Sequence, residues 1–337
     1  MNTDFRTSIA RFIAGQAGAR DAAVHEATRL SGGAIQQNWR LQVQIDGGPH
    51  AGLQVLVLRT DAPSGVAVSL GRPQEFALLR AAFRAGVTVP EPLWLCEDRA
   101  VIGRPFFLMR CVAGTAAGHV LVKDSGWRGD RSRLAEQLGE ELARIHAIRP
   151  PRADLAFLPA CDESPALRTV RRCQEHLDAL ATPQPALEWG LRWLERHAPP
   201  RGSIVLCHGD FRTGNYLVDA QGLTGILDWE FAAWGEPLQD IGWFCAKCWR
   251  FGAVEREAGG IGPREAFYRG YERASGQPLD RGAVPYWELM AHVTWAVIAL
   301  QQAERHASGE ESSLLLALTG HIVPELEHEI LAMTETK

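Results

Sequence analysis

The stretch Cys207-His208-Gly209-Asp210-Phe211-Arg212-Thr213-Gly214-Asn215, followed by Ile226-Leu227-Asp228-Trp229-Glu230, decides how this chain is read. An apolar run at 203–207 feeds a polar loop holding Asp210 and Asn215. Two short β-prone runs, 215–219 and 224–228, are joined by the turn Ala220-Gln221-Gly222, which predicts a hairpin. That hairpin returns Asp228 beside the loop. Mg²⁺ takes hard oxygen ligands in octahedral geometry, usually one or two carboxylates with phosphate oxygens and water. Asn215 and Asp228 are the candidate metal ligands. Asp210 is the candidate catalytic group, placed to accept or orient the proton of an attacking hydroxyl. His208 reads as a prop of the loop. Arg212 has two readings, a cation for phosphate or a brace against a carboxylate. Glu230 likewise has two, a water-mediated metal contact or an ion-paired side chain.

Outward from this stretch the chain changes character. Residues 1–113 carry 12 Arg and 9 Asp+Glu; the whole chain of 337 residues has net charge -5, so residues 114–337 carry -8. The first part predicts strands at 39–45, 54–59, 93–96 and 105–112, with one helix at 73–85 whose Phe76, Leu79, Ala82 and Phe83 share a face. The second part predicts helices at 131–148, 187–197, 240–251, 263–274, 285–305 and 312–333. This is an α+β composition: a small sheet-bearing unit, 1–113, and a larger helical unit, 114–337.

Ordered as HGD-x-x-x-x-N and then ILDWE, with Pro237-Leu238-Gln239-Asp240 after it, these motifs resemble the aminoglycoside phosphotransferase/choline kinase family. They are most similar to the branch that includes the kinase-like domain of acyl-CoA dehydrogenase fusions. The resemblance runs from about residue 25 to about 300 and is strongest at 204–243. It implies a bilobal protein-kinase-like fold, with a small β-rich N-lobe and a larger α-helical C-lobe. It implies ATP (or GTP) with Mg²⁺ in the cleft, and transfer of the γ-phosphoryl group to a hydroxyl of a small metabolite. It also implies that Asp240 supports the catalytic loop.

Such a fold needs a cation on the nucleotide phosphates, usually a strand lysine paired with a helix glutamate. The three lysines, Lys123, Lys247 and Lys337, all lie outside the first unit. Arg59 is therefore expected in that place, as the resembled branch implies, with Glu75 as its partner. Ser31, Gly32 and Gly33 form a candidate glycine loop over the phosphates. The segment Leu108–Val112 is the expected lobe connection, with Arg110 to Val112 at the base-binding edge.

Other classes are set aside. The acidic balance argues against a nucleic-acid partner. The apolar run 289–300 is too short to cross a membrane. An odd set of seven cysteines and the absence of an apolar leader predict reduced thiols and a cytoplasmic protein; a monomer or homodimer is expected. Cys245-Ala246-Lys247-Cys248 is one pair without a second, which predicts buried thiols and no zinc. Three alternatives share the same residues: an aminoglycoside 3'-type phosphotransferase, a nucleotide-binding pseudokinase and a metal phosphohydrolase.

Overall fold

The computed structural model describes residues 3–30, 36–61, 70–123 and 126–335. Helix α1 (Thr3–Ala17) leads into β1 (Asp21–Arg29), β2 (Gln36–Asp46) and β3 (Gly52–Asp61). Helix α2 (Arg72–Arg84), β4 (Pro92–Cys96), the single turn α3 (Arg99–Ile102) and β5 (Phe106–Arg110) follow. The strands form one antiparallel sheet in the order β1-β2-β3-β5-β4.

Period-two alternation gives this sheet two different faces. Leu56 and Leu58 of β3, with Phe106 and Leu108 of β5, pack on Ile9 and Ile13 of α1. Val57, Phe107 and Met109 point the other way, into the core shared with α2 and the helical lobe. Arg59 follows Val57 by two residues and so lies on that second face. This parity aims a strand cation at the large lobe. Helix α2 starts with Pro73 in its first turn, where a missing N–H costs nothing, and carries Glu75 there.

The large lobe comprises α4 (Gly118–Val122), α5 (Arg131–His146), α6 (Pro165–Asp178), α7 (Pro185–Arg196), α8 (Pro237–Cys245), α9 (Arg264–Ser275), α10 (Val284–Ala307), α11 (Leu314–Gly320) and α12 (Val323–Thr334). Between α7 and α8 lie β6 (Val205–Cys207), β7 (Tyr216–Val218), β8 (Leu223–Ile226) and β9 (Ala233–Gly235). β6 pairs with β9, and β7 with β8. Helices α5 and α9 cross closely because each has a glycine at the contact. A Cβ on Gly139 would lie 2.1 Å from the Phe267 carbonyl oxygen, and one on Gly270 would lie 2.0 Å from that of Glu136. Among the described residues no helix is long and apolar enough to cross a membrane.

Several expected boundaries are corrected. The sequence reading placed one helix at 312–333, but the chain breaks it into α11 and α12. Pro324 cannot continue a helical ladder and instead starts the new helix. The helix expected at 240–251 starts earlier, at Pro237, where the Gln239 side chain accepts from Glu236 N at 2.8 Å. It also stops earlier, at Cys245, with a 3-10 turn at Lys247–Trp249 beyond it. Helices α1 and α6 and strand β1 were not anticipated.

Candidate active site

The loop after β6 is held from beneath by α8. Asp240 accepts from His208 N at 2.7 Å through Oδ2 and from Gly209 N at 2.9 Å through Oδ1. His146 Nε2 lies 3.1 Å from the same Oδ2, and His146 Nδ1 lies 2.9 Å from Tyr271 Oη. Burial raises the Asp240 pKa, but hydrogen bonding and charge from His146 outweigh it and hold the carboxyl below its usual range. Gly209 has φ +79, and a Cβ there would meet the Phe231 carbonyl oxygen at 2.2 Å, so the turn admits glycine alone. His208 is fully buried. Its Nε2 lies 2.8 Å from Leu227 O, and its Nδ1 accepts from Asp210 N at 3.3 Å. One imidazole thus ties the loop to the turn after β8.

Asp210 and Asn215 meet within the loop. Asn215 Nδ2 donates to Asp210 O at 2.9 Å and to Asp210 Oδ2 at 2.5 Å. Both bonds use the amide nitrogen, so the Asn215 side-chain oxygen takes no part in holding Asp210. Asp210 Oδ1 accepts from Arg212 Nε at 2.9 Å and from Trp243 Nε1 at 3.0 Å. Burial raises the Asp210 pKa above the ordinary carboxylate value, against the pull of Arg212. Leu227 N donates to Asn215 O at 2.8 Å, which sets Asp228 beside the loop. Asp228 has φ 60 and ψ 65, a left-handed conformation uncommon outside glycine.

The small lobe reaches the same place. Arg59 Nη2 lies 2.5 Å from Asp228 Oδ1 and 2.7 Å from Glu75 Oε1, with Arg59 and Glu75 both buried. Burial pushes the Asp228 pKa up, but the Arg59 charge and hydrogen bond prevail and lower it. A second arginine was not foreseen. Arg72 is buried, pairs with the other oxygen of Glu75, lies 2.9 Å from Asp61 Oδ1, and stands 3.8 Å from Glu230 Oε2. The signal was available as Arg72 and Glu75 at i, i+3 on one helical turn. Glu230 is buried and its Oε2 has no hydrogen-bond partner among the described residues. Burial, with Asp228 alongside, pushes its carboxyl up to about 7.

The structure therefore brings together Arg59, Glu75, His208, Asp210, Arg212, Asn215, Asp228, Glu230 and Asp240. Arg110 stands apart from the Arg59 cluster. Its guanidinium is engaged by Glu91 at 3.1 Å and by Gln54, and its N–H by Glu91 O. Val112 packs over Gly225 of β8. Ser31, Gly32 and Gly33 lie outside the described residues. Arg212 does more than brace Asp210, since its guanidinium also covers the Trp249 ring at 4.6 Å.

Beneath the loop, ligand-type atoms of His146, Cys207 and Asp240 lie within 4.8 Å of one another. Both ring nitrogens and both carboxylate oxygens there are already hydrogen-bonded, so the cluster supports the loop. Cys245 is buried and its thiol is pushed up to about 12 by burial, which leaves it unreactive.

The donor set suits a divalent cation. Asp228 and Asn215 offer hard side-chain oxygens on adjoining turns, and Glu230 Oε2 has no hydrogen-bond partner among the described residues.

The family model described as "Phosphotransferase enzyme family" matches residues 26–283. Acyl-CoA dehydrogenase family member 10 of Mus musculus is 32% identical over 200 residues, covering 56% of this chain and 18% of that protein. Acyl-CoA dehydrogenase family member 11 of Pongo abelii is 26% identical over 300 residues, covering 84% and 38%. The chain thus spans well under half the length of these two curated relatives. Homoserine kinase of Beijerinckia indica is 29% identical over 244 residues, covering 66% of this chain and 69% of that protein. Among solved structures, a Ralstonia eutropha protein assigned as an aminoglycoside phosphotransferase superposes with TM-score 0.76 at 20% identity, covering 97% of each chain. An aminoglycoside phosphotransferase in ternary complex with AMP-PNP and hygromycin B gives TM-score 0.60 at 16% identity, covering 98% of this chain and all of that one. These likenesses establish the bilobal kinase-like fold.

Proposed function

We propose that this chain, which belongs to the phosphotransferase enzyme family, transfers the γ-phosphoryl group of ATP or GTP to a hydroxyl of a small metabolite. The observation that carries this reading is one convergence. Arg59, paired with Glu75, reaches Asp228, while Asp228 adjoins the loop on which Asp210 and Asn215 are hydrogen-bonded. A lone acidic loop does not need a buried arginine delivered from another lobe. A nucleotide triphosphate does. Solved relatives holding AMP-PNP or ADP lend support to the nucleotide.

The roles follow from charge and position. Arg59 neutralises the phosphates and Glu75 fixes its fork. Asn215 and Asp228 would hold Mg²⁺, with Glu230 acting behind them. The ion, when bound, neutralises charge on the phosphate oxygens. Asp210 accepts the hydroxyl proton as the acceptor oxygen forms its bond to the γ-phosphorus and the bond to the leaving nucleoside diphosphate breaks. That proton then leaves to solvent. Burial favours this role, because a carboxylate with a raised pKa is a better base. Asp240 and His208 hold the loop backbone. Positioning and charge neutralisation supply most of the rate. We place the lobe boundary near residue 113, just after β5.

The test is a screen for ATP and GTP consumption across hydroxylated metabolites with Mg²⁺, using Asp210→Ala as the blank. Consumption that depends on one acceptor class and vanishes in the blank supports the reading. Consumption unchanged in the blank contradicts it.

A further inference from the structure

Asp210 belongs to a closed circuit of four side chains. Its Oδ1 accepts from Arg212 Nε at 2.9 Å, and the Arg212 guanidinium lies 4.6 Å over the Trp249 ring. Trp249 packs on Trp243 with ring centroids 5.1 Å apart, and Trp243 Nε1 returns to Asp210 Oδ1 at 3.0 Å. Trp243 follows Asp240 by three residues on α8. The helix therefore grips the loop twice from one face, once by the backbone through Asp240 and once by the carboxylate through Trp243.

Counting acceptor sites shows what the second grip does. An ionised carboxylate offers about four lone-pair sites, two on each oxygen. Among the described residues, Arg212 and Trp243 fill both on Oδ1, and Asn215 Nδ2 fills one on Oδ2. One site remains, on Oδ2. We propose that Trp243 is a positioning residue that closes Oδ1 of Asp210 and so directs the attacking hydroxyl to Oδ2 alone. This rests on the reading of Asp210 as the proton acceptor. An indole suits the task because it is a donor only and cannot take the proton itself. Its ring is anchored by packing on Trp249, and Trp249 packs in turn on Trp295 with centroids 4.8 Å apart. Without the indole N–H, two sites on Asp210 compete for the hydroxyl, and only one of them has the geometry for transfer.

The experiment measures steady-state MgATP turnover with water as acceptor, in the full chain. Trp243→Phe keeps an aromatic ring and removes the N–H. Trp295→Phe is a matched loss of indole in the same cluster, away from Asp210. One hydrogen bond to a charged group corresponds to about a tenfold change in rate. The expected result is a kcat lowered about tenfold in Trp243→Phe with KM for MgATP unchanged, and neither constant changed in Trp295→Phe. Should Trp243→Phe fold poorly, benzothienylalanine at position 243 replaces only the N–H by sulfur and preserves the bicyclic ring. An unchanged kcat, a loss confined to KM, or an equal loss in Trp295→Phe overturns the inference. Asp210→Asn, measured alongside, separates the two levels. If it abolishes turnover while Trp243→Phe does not alter it, only the positioning role fails. If it retains turnover, the reading beneath fails as well.

Discussion

Arg59 Nη2 stands 2.5 Å from Asp228 Oδ1 across 169 residues of sequence, and the same nitrogen is 2.7 Å from Glu75. One guanidinium thus joins the central strand of the small lobe, its adjacent helix and the turn after β8 in the large lobe. Strand parity sets this up, because Arg59 shares its face with Val57, the face packed against the large lobe.

Removing that guanidinium should damage both stability and binding. Arg59→Ala leaves Glu75 buried with Arg72 as its remaining cation. The expected loss is about 3 kcal/mol of folding stability, at the low end for a broken buried pair. The KM for MgATP should rise at least about tenfold, one charge-assisted contact's worth. Urea unfolding and steady-state kinetics read the two effects separately.

Arg72 should matter through Glu75. Its guanidinium takes the glutamate oxygen that Arg59 leaves free and also faces Asp61 and Glu230. Arg72→Gln is expected to cost about 3 kcal/mol, since it exposes buried carboxylates to one another. Nucleotide affinity should fall less than in Arg59→Ala. Equal losses in the two variants would mean that Arg72 itself holds phosphate.

Acid stability should depend on Asp240. Its folded pKa is depressed, so its contribution is fully present above the ordinary unfolded value of 3.8 and is lost as pH falls through the lower folded value. In wild type this part of the stability declines only below about pH 4. Asp240→Asn should be less stable at neutral pH and should show a flatter decline in that acid window. Urea midpoints measured from pH 7 down to pH 2 give the comparison.

Metal removal should uncouple nucleotide from protein. With saturating ATP and Mg²⁺, about 100 times Kd, ligand linkage adds about 2.7 kcal/mol to stability. Chelation with EDTA should remove most of that protection and all turnover, and Mg²⁺ should restore both. Thermal unfolding with and without chelator checks it.

Much of this site was legible in the sequence because its key pieces are local. Asp210, Asn215 and Asp228 fall within one loop and one hairpin, where turn residues fix the chain path. Arg59 was legible by default, as the lysine-free first unit left arginine as its cation. Trp243 is one of 11 tryptophans and nothing in the sequence singles it out, since an indole's hydrogen-bond partner across a helix–loop contact leaves no periodic trace. Arg72 had a local signal in its spacing to Glu75, but its second function, facing Glu230, depends on tertiary packing. Helix α6 carried a local signal, with Ala166, Val170, Cys173 and Leu177 at helical spacing behind Ser164-Pro165, that the sequence reading did not use. Strand β1 escaped because Asp21–Arg29 carries few β-branched residues and alternates weakly.

The central claim is that Asp210 takes the acceptor's proton beside a nucleotide held by Arg59, Asn215 and Asp228. Asp210→Asn is nearly isosteric and cannot serve as that base, so MgATP turnover at saturating nucleotide, measured together with nucleotide protection against unfolding, addresses it directly. The account predicts a kcat lowered by about 10²-fold or more with protection retained. Full turnover in Asp210→Asn, with protection intact, would contradict it.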